Sequence, residues 1–94
     1  MSKISETYIR ELRSLLSKVS PGPWVSLVEG RDHTSGSSFI KTGADGDRGE
    51  DIELLGGSPA DQDFIARARQ DVPLLLDEVE RLKGLLRGSQ TAAE

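Results

Sequence analysis

Between Ser58 and Arg87 the apolar residues Ile65, Ala68, Val72, Leu75, Val79, Leu82 and Leu86 follow one another in alternating steps of three and four. Those steps place all seven on one stripe of an α-helix, and the stripe lasts about three heptads. Pro73 interrupts it. A proline in a helix interior lacks the N–H that the ladder needs, and its ring meets the preceding turn. The pattern therefore predicts a short helix, a joint at Gln70–Asp71, and a longer helix from about Val72 with Asp71 as its N-cap. The first helix opens in clear grammar, with Ser58 at the N-cap, Pro59 at the first helical position and Asp61 placed to close a capping box. The second is expected to stop near Arg87-Gly88, leaving Ser89 to Glu94 as a frayed tail. Ile65, Ala68, Val72, Leu75, Val79, Leu82 and Leu86 are the expected oligomer interface.

Upstream, Ile9, Leu12, Leu16 and Val19 make one helical stripe, widened by Tyr8 and Leu15. This predicts a helix over 5–18, with Ser5 as N-cap and Glu6 in the first turn, where the helix dipole favours negative charge. Ser20-Pro21-Gly22-Pro23 ends it and delivers the single tryptophan, Trp24, from a stiff backbone. The pattern then changes to strands over 24–29, 37–42 and 50–55, separated by a loop at 30–36 and a polar turn at 43–49. Connections this short predict an antiparallel meander. The expected fold is a single α+β domain over residues 1–88, in the order α-β-β-β-α-α.

Ninety-four residues with 35% hydrophobic and 30% charged content give a thin core, so support from a partner subunit is expected. There is no cysteine, which removes disulfides and thiolate metal sites and fits a reducing cytoplasm. No signal peptide opens the chain, and no apolar run approaches the roughly 20 residues of a membrane span. The net charge of −4 argues against general nucleic-acid binding, which needs a basic footprint.

The candidates for chemistry are few. Asp45, Asp47, Glu50 and Asp51 crowd one turn, but a calcium loop counted from Asp45 meets Gly56 where its bidentate glutamate belongs. Gly43, Gly46 and Gly49 are not followed by the lysine and helix start of a phosphate loop. His33 stands beside Asp32 with Ser35, Ser37 and Ser38 in an ordinary Gly/Ser loop, without the strained elbow of a hydrolase nucleophile. No enzyme, metal or cofactor is expected. Arg67 and Arg69 point about 200° apart on one helix and cannot form a clamp alone. Each either pairs with Asp63 or Asp71, or faces a ligand or subunit across the low wall of Ala66 and Ala68. Trp24 is either a core residue or a platform for a stacked base.

The segment Ser20-Pro21-Gly22-Pro23-Trp24, followed by the run from Ala60-Asp61-Gln62-Asp63-Phe64-Ile65-Ala66-Arg67-Ala68-Arg69-Gln70-Asp71-Val72-Pro73 to Leu82, resembles the paired motifs of small phage and prophage proteins of the Ead/Ea22-like type. The two anchors cover about 30 residues. Some small phage proteins of similar helix–sheet–helix layout are counter-defence sponges, directed against Thoeris or CBASS immunity, that assemble into oligomers and hold a cyclic nucleotide signal intact. The resemblance implies a homo-oligomer in the host cytoplasm that captures a cyclic oligonucleotide or a cyclic ADP-ribose isomer between subunits. Arg67 or Arg69 would neutralise phosphate, with Trp24 or Phe64 supporting the base. The alternative is an adaptor that offers the helical seam to a host protein.

Overall fold

The computed structural model describes residues 4–92, with side chains through Gly88. It comprises α1 (Glu6–Leu16), β1 (Trp24–Leu27), β2 (Phe39–Ala44), β3 (Asp47–Arg48) and α2 (Pro59–Ala92). The three strands form an antiparallel sheet in the order β1-β2-β3. The α+β class and the meander are as the sequence predicts.

Both helix starts use their expected caps. The Ser5 hydroxyl accepts the Tyr8 N–H at 3.0 Å. At α2, Ser58 Oγ accepts from the Asp61 N–H at 3.1 Å, and Asp61 Oδ2 accepts from the Ser58 N–H at 2.9 Å, closing the capping box. The two helices run antiparallel, with Arg13 reaching Asp77 and Glu80, Lys83 reaching the Ile4 carbonyl, and Arg69 reaching Ser20.

Two expectations are overturned. The C-terminal region holds one helix, not two: α2 passes straight through Gln70, Asp71 and Pro73 and continues past Gly88. A mid-helix proline costs on the order of 3 kcal/mol, but side chains on both sides of it are anchored. Before it, Arg69 and Gln70 bond to Ser20 and Trp24. After it, Leu76 is buried, for about 2 kcal/mol of apolar transfer, and Asp77 is held by Arg13. Tertiary anchoring outweighs the local rule. Asp71, expected as an N-cap, lies mid-helix and pairs with Arg67. The side chains of the expected tail lie outside the described residues.

The third strand is also misplaced. β3 is the short Asp47–Arg48 pair, joined to a longer β2 by a two-residue Asp45-Gly46 turn in which Gly46 takes φ +89°. Residues 50–55 touch the sheet through the bridge of Ile52 to Ile40. Gly43 dictates this geometry: it sits at φ +85°, and a Cβ there would lie 2.5 Å from the Asp47 carbonyl oxygen. Only glycine fits there, and the strand that follows begins at Asp47, three residues before the expected start at Glu50.

The core is small. Ile9, Val28, Ile40, Ala66 and Leu76 are its buried apolar members, joined by Thr42, whose hydroxyl donates to the Glu50 carbonyl at 2.8 Å, and by Gln62. The molecule measures 63 × 28 × 19 Å with a radius of gyration of 17.8 Å, where a compact chain of this length would have about 12 Å. No helix of the described residues is long and apolar enough to cross a membrane.

Candidate functional site

Where α2 meets the sheet, polar side chains do the joining. Gln62, Ala66 and Gln70 fall at i, i+4 and i+8, on the face that α2 turns to β1. The Gln70 amide accepts the Trp24 N–H at 2.7 Å and donates to the Trp24 carbonyl at 3.1 Å. It bonds both backbone groups of one strand residue, as a neighbouring strand would. The Gln62 amide donates to Ser26 Oγ at 2.9 Å and to the Phe39 carbonyl at 3.2 Å. These glutamines were invisible to a search for apolar periodicity. Their signal was the spacing of two amides around a small alanine.

Trp24 belongs to the same junction. Its indole N–H donates to the Ser20 carbonyl at 3.0 Å, and the Arg69 Nε donates to that same oxygen at 3.0 Å. The Pro-Gly-Pro segment, which holds a cis Gly22–Pro23 peptide, thus presents one carbonyl to two donors. Trp24 is half-buried and serves the fold.

Beside it, Arg31 grips Asp63 through two parallel bonds of 2.8 and 3.0 Å and also bonds Asp32. The Arg31 guanidinium, with help from the Ser26 hydroxyl, holds the Asp63 carboxyl down at about 2. Arg31, and the Val28 N–H that donates to Asp32 Oδ2 at 2.8 Å, likewise lower Asp32. The pairing expected for Asp63 exists, but with Arg31 from the loop.

His33 does not form a triad. Its Nδ1 accepts the Ser35 N–H at 3.1 Å and lies 2.7 Å from Ser35 Oγ, while Glu29 approaches that same nitrogen at 3.4 Å. A hydrolase triad places the nucleophile and the orienting acid on opposite ring nitrogens. Here Nε2 faces the Leu27 carbonyl. In the acidic turn, Asp45 pairs with Lys41 and Asp51 with Arg48.

The second distinctive surface is apolar. Two depressions between α1 and α2 and a third on α2 alone, each of roughly 180 to 210 Å³, share walls, and all three are lined by Val72. Leu12, Ala68 and Leu75 each line two of them. Of the expected interface residues, Ala68, Val72 and Val79 are half-covered, while Ile65, Leu75, Leu82 and Leu86 are exposed.

All four expected ligand residues border this face, in two pairs. Phe64 and Arg67 line one depression, Trp24 and Arg69 its neighbour. Phe64 is 75% exposed, and the Arg67 side chain, 81% exposed, pairs with Asp71 one turn on, at 2.6 Å. An open aromatic next to a guanidinium can stack a base and neutralise a phosphate. Each depression alone falls short of the roughly 300 Å³ of ordinary ligand pockets, so a nucleotide-sized site here needs a second wall.

No protein-family model, curated protein or solved structure matches this chain.

Proposed function

We propose that this chain is a non-catalytic, homo-oligomeric binding protein that sequesters a nucleotide-derived signal, a cyclic oligonucleotide or a cyclic ADP-ribose isomer, at a boundary between copies. The observation that carries the reading is the Phe64–Arg67 pair, standing open on the rim of an apolar face that spans both helices. The face supplies the means of assembly, the pair supplies the chemistry for base and phosphate, and a second copy supplies the missing wall. The ligand class is taken by analogy from phage sponges of similar helix–sheet–helix layout. Of the two arginines, Arg67 is the better ligand residue, because Arg69 spends its Nε on Ser20.

The test is a thermal-melt screen against cyclic dinucleotides, cyclic trinucleotides and cyclic ADP-ribose isomers. Ligand at 100 times its dissociation constant adds about 2.7 kcal/mol, which moves the melt of a domain this size by several degrees. A shift with one class, intact ligand recovered after heating, and a loss of the shift in Arg67→Ala without change of oligomer size are the expected results. Silence across the panel would sink the reading. A second reading, an adaptor for a host helix, draws on the same exposed seam. It is favoured if the protein is monomeric with that seam open.

A further inference from the structure

The chain exposes 6994 Å², whereas a folded monomer of its 10.2 kDa mass exposes about 5,300 Å². The surplus, roughly 1,700 Å², is more than the ~800 Å² that each partner hides in a standard interface. Part of the exposed surface is apolar and belongs to the two helices. Tyr8 and Leu15 on α1, with Phe64, Leu75, Leu82 and Leu86 on α2, are each about half exposed or more. Their open portions sum to roughly 700 Å², taking usual side-chain areas, which is close to one partner's share of a stable dimer.

Charge permits a second copy as the occupant. In a face that meets a copy of itself, charges near the axis meet their own twins, and a chain of net charge −4 would ordinarily repel itself. Close to this face most charges are paired within one copy, and one excess carboxylate remains at Arg13. Arg67 pairs with Asp71, Arg81 with Glu78, and Arg13 with Asp77 and Glu80. Between the first two pairs lies the uncharged run Val72-Pro73-Leu74-Leu75-Leu76.

We propose that two copies pack their α1/α2 faces together about a two-fold axis near Val72, forming a four-helix bundle. This rests on the self-assembly half of the function proposed above and names its surface. Val72 lines all three depressions and so marks the middle of the face. Ala68 beside it is small enough to let the helices approach, and the leucines toward the ends fill the facing grooves. Such an interface is isologous, so residues near the axis meet their own counterparts.

Leu74 and Leu75 supply a matched pair for the test. Both are 65% exposed, but only Leu75 lines the groove. By light scattering, the native protein should have at least twice the 10.2 kDa chain mass. Leu75→Asp should halve that mass or weaken association by 100-fold or more, while Leu74→Asp leaves it unchanged. Because the chain has no cysteine, single replacements report cleanly. At least one of Ala68→Cys, Val72→Cys and Leu75→Cys should give a covalent dimer on mild oxidation, and Thr34→Cys, in the exposed loop, should not. This arm decides the matter even if Leu75→Asp fails to fold.

A monomeric native protein, dissociation by Leu74→Asp in place of Leu75→Asp, or no cross-link at any of the three positions would overturn the bundle. A dimer with these properties that ignores every nucleotide would leave the bundle standing and remove only the sequestration reading.

Discussion

The two ends of α2 are held in opposite ways. Before Pro73 it lies on the sheet and is fastened by directed polar bonds: Gln62 to Ser26 and Phe39, Asp63 to Arg31, Arg69 to Ser20, Gln70 to Trp24. Beyond Pro73 it lies against the short α1 through scattered ion pairs, and its leucines other than the buried Leu76 stand open. Hydrogen-bonded junctions tolerate one geometry, whereas an apolar face accepts any well-shaped cover. The first region therefore specifies the fold of a single chain. The second leaves it unfinished.

The largest effect should come from cutting the polar junction. Gln70→Ala strands the N–H and carbonyl of Trp24 against α2, and leaving such groups unsatisfied costs about 1–3 kcal/mol each. The melting temperature should fall by roughly 10 °C or more. A fall under about 2 °C would mean that water replaces the amide freely and that this end is no more specific than the other.

Next, and opposite in sign, Pro73→Ala restores an N–H able to reach the Arg69 carbonyl. The gain should be about 1–3 kcal/mol, reduced by the looser unfolded chain. Denaturant titration measures it. A destabilised variant would show that the proline serves the helix where it stands.

The smallest effect concerns acid. Asp63, held at about 2 against its ordinary 3.8, is depressed in the folded state. Its contribution is therefore fully present above the unfolded value and is lost as pH falls from about 4 to 2. Over that interval the native protein should lose stability more steeply than Asp63→Asn, and salt should flatten the difference, because both partners are partly exposed. Identical slopes would place the acid sensitivity elsewhere.

Local chemistry was legible in the sequence wherever it acted alone. The caps at Ser5 and Ser58 and the meander could be read because each depends on residues a few positions apart. Pro73 misled because the local rule is sound, but contacts from Trp24 and Arg13, distant in sequence, override it. The third strand misled because apolar patterning at Ile52 and Leu54 outvoted the glycine at 43, whose backbone geometry closes the hairpin early. At the candidate site, the composition and spacing of Phe64 and Arg67 were readable. So was the divergence of Arg67 from Arg69, but the placing of Trp24 beside Arg69 was not, since it depends on how the Pro-Gly-Pro segment lies across α2.

The Gln70–Trp24 contact also bears on how such a protein avoids the wrong kind of association. A three-stranded sheet ends in a rim of unpaired peptide groups, and such a rim recruits strands from other molecules, the route by which sheets grow into fibres. Gln70 occupies the rim of β1 at Trp24 with a side-chain amide that ends there and extends nothing. A chain with a thin core and a sticky flank is exposed to runaway growth. With that stretch of edge plugged, attraction is left to the helices, where the bundle proposed above would close after two copies.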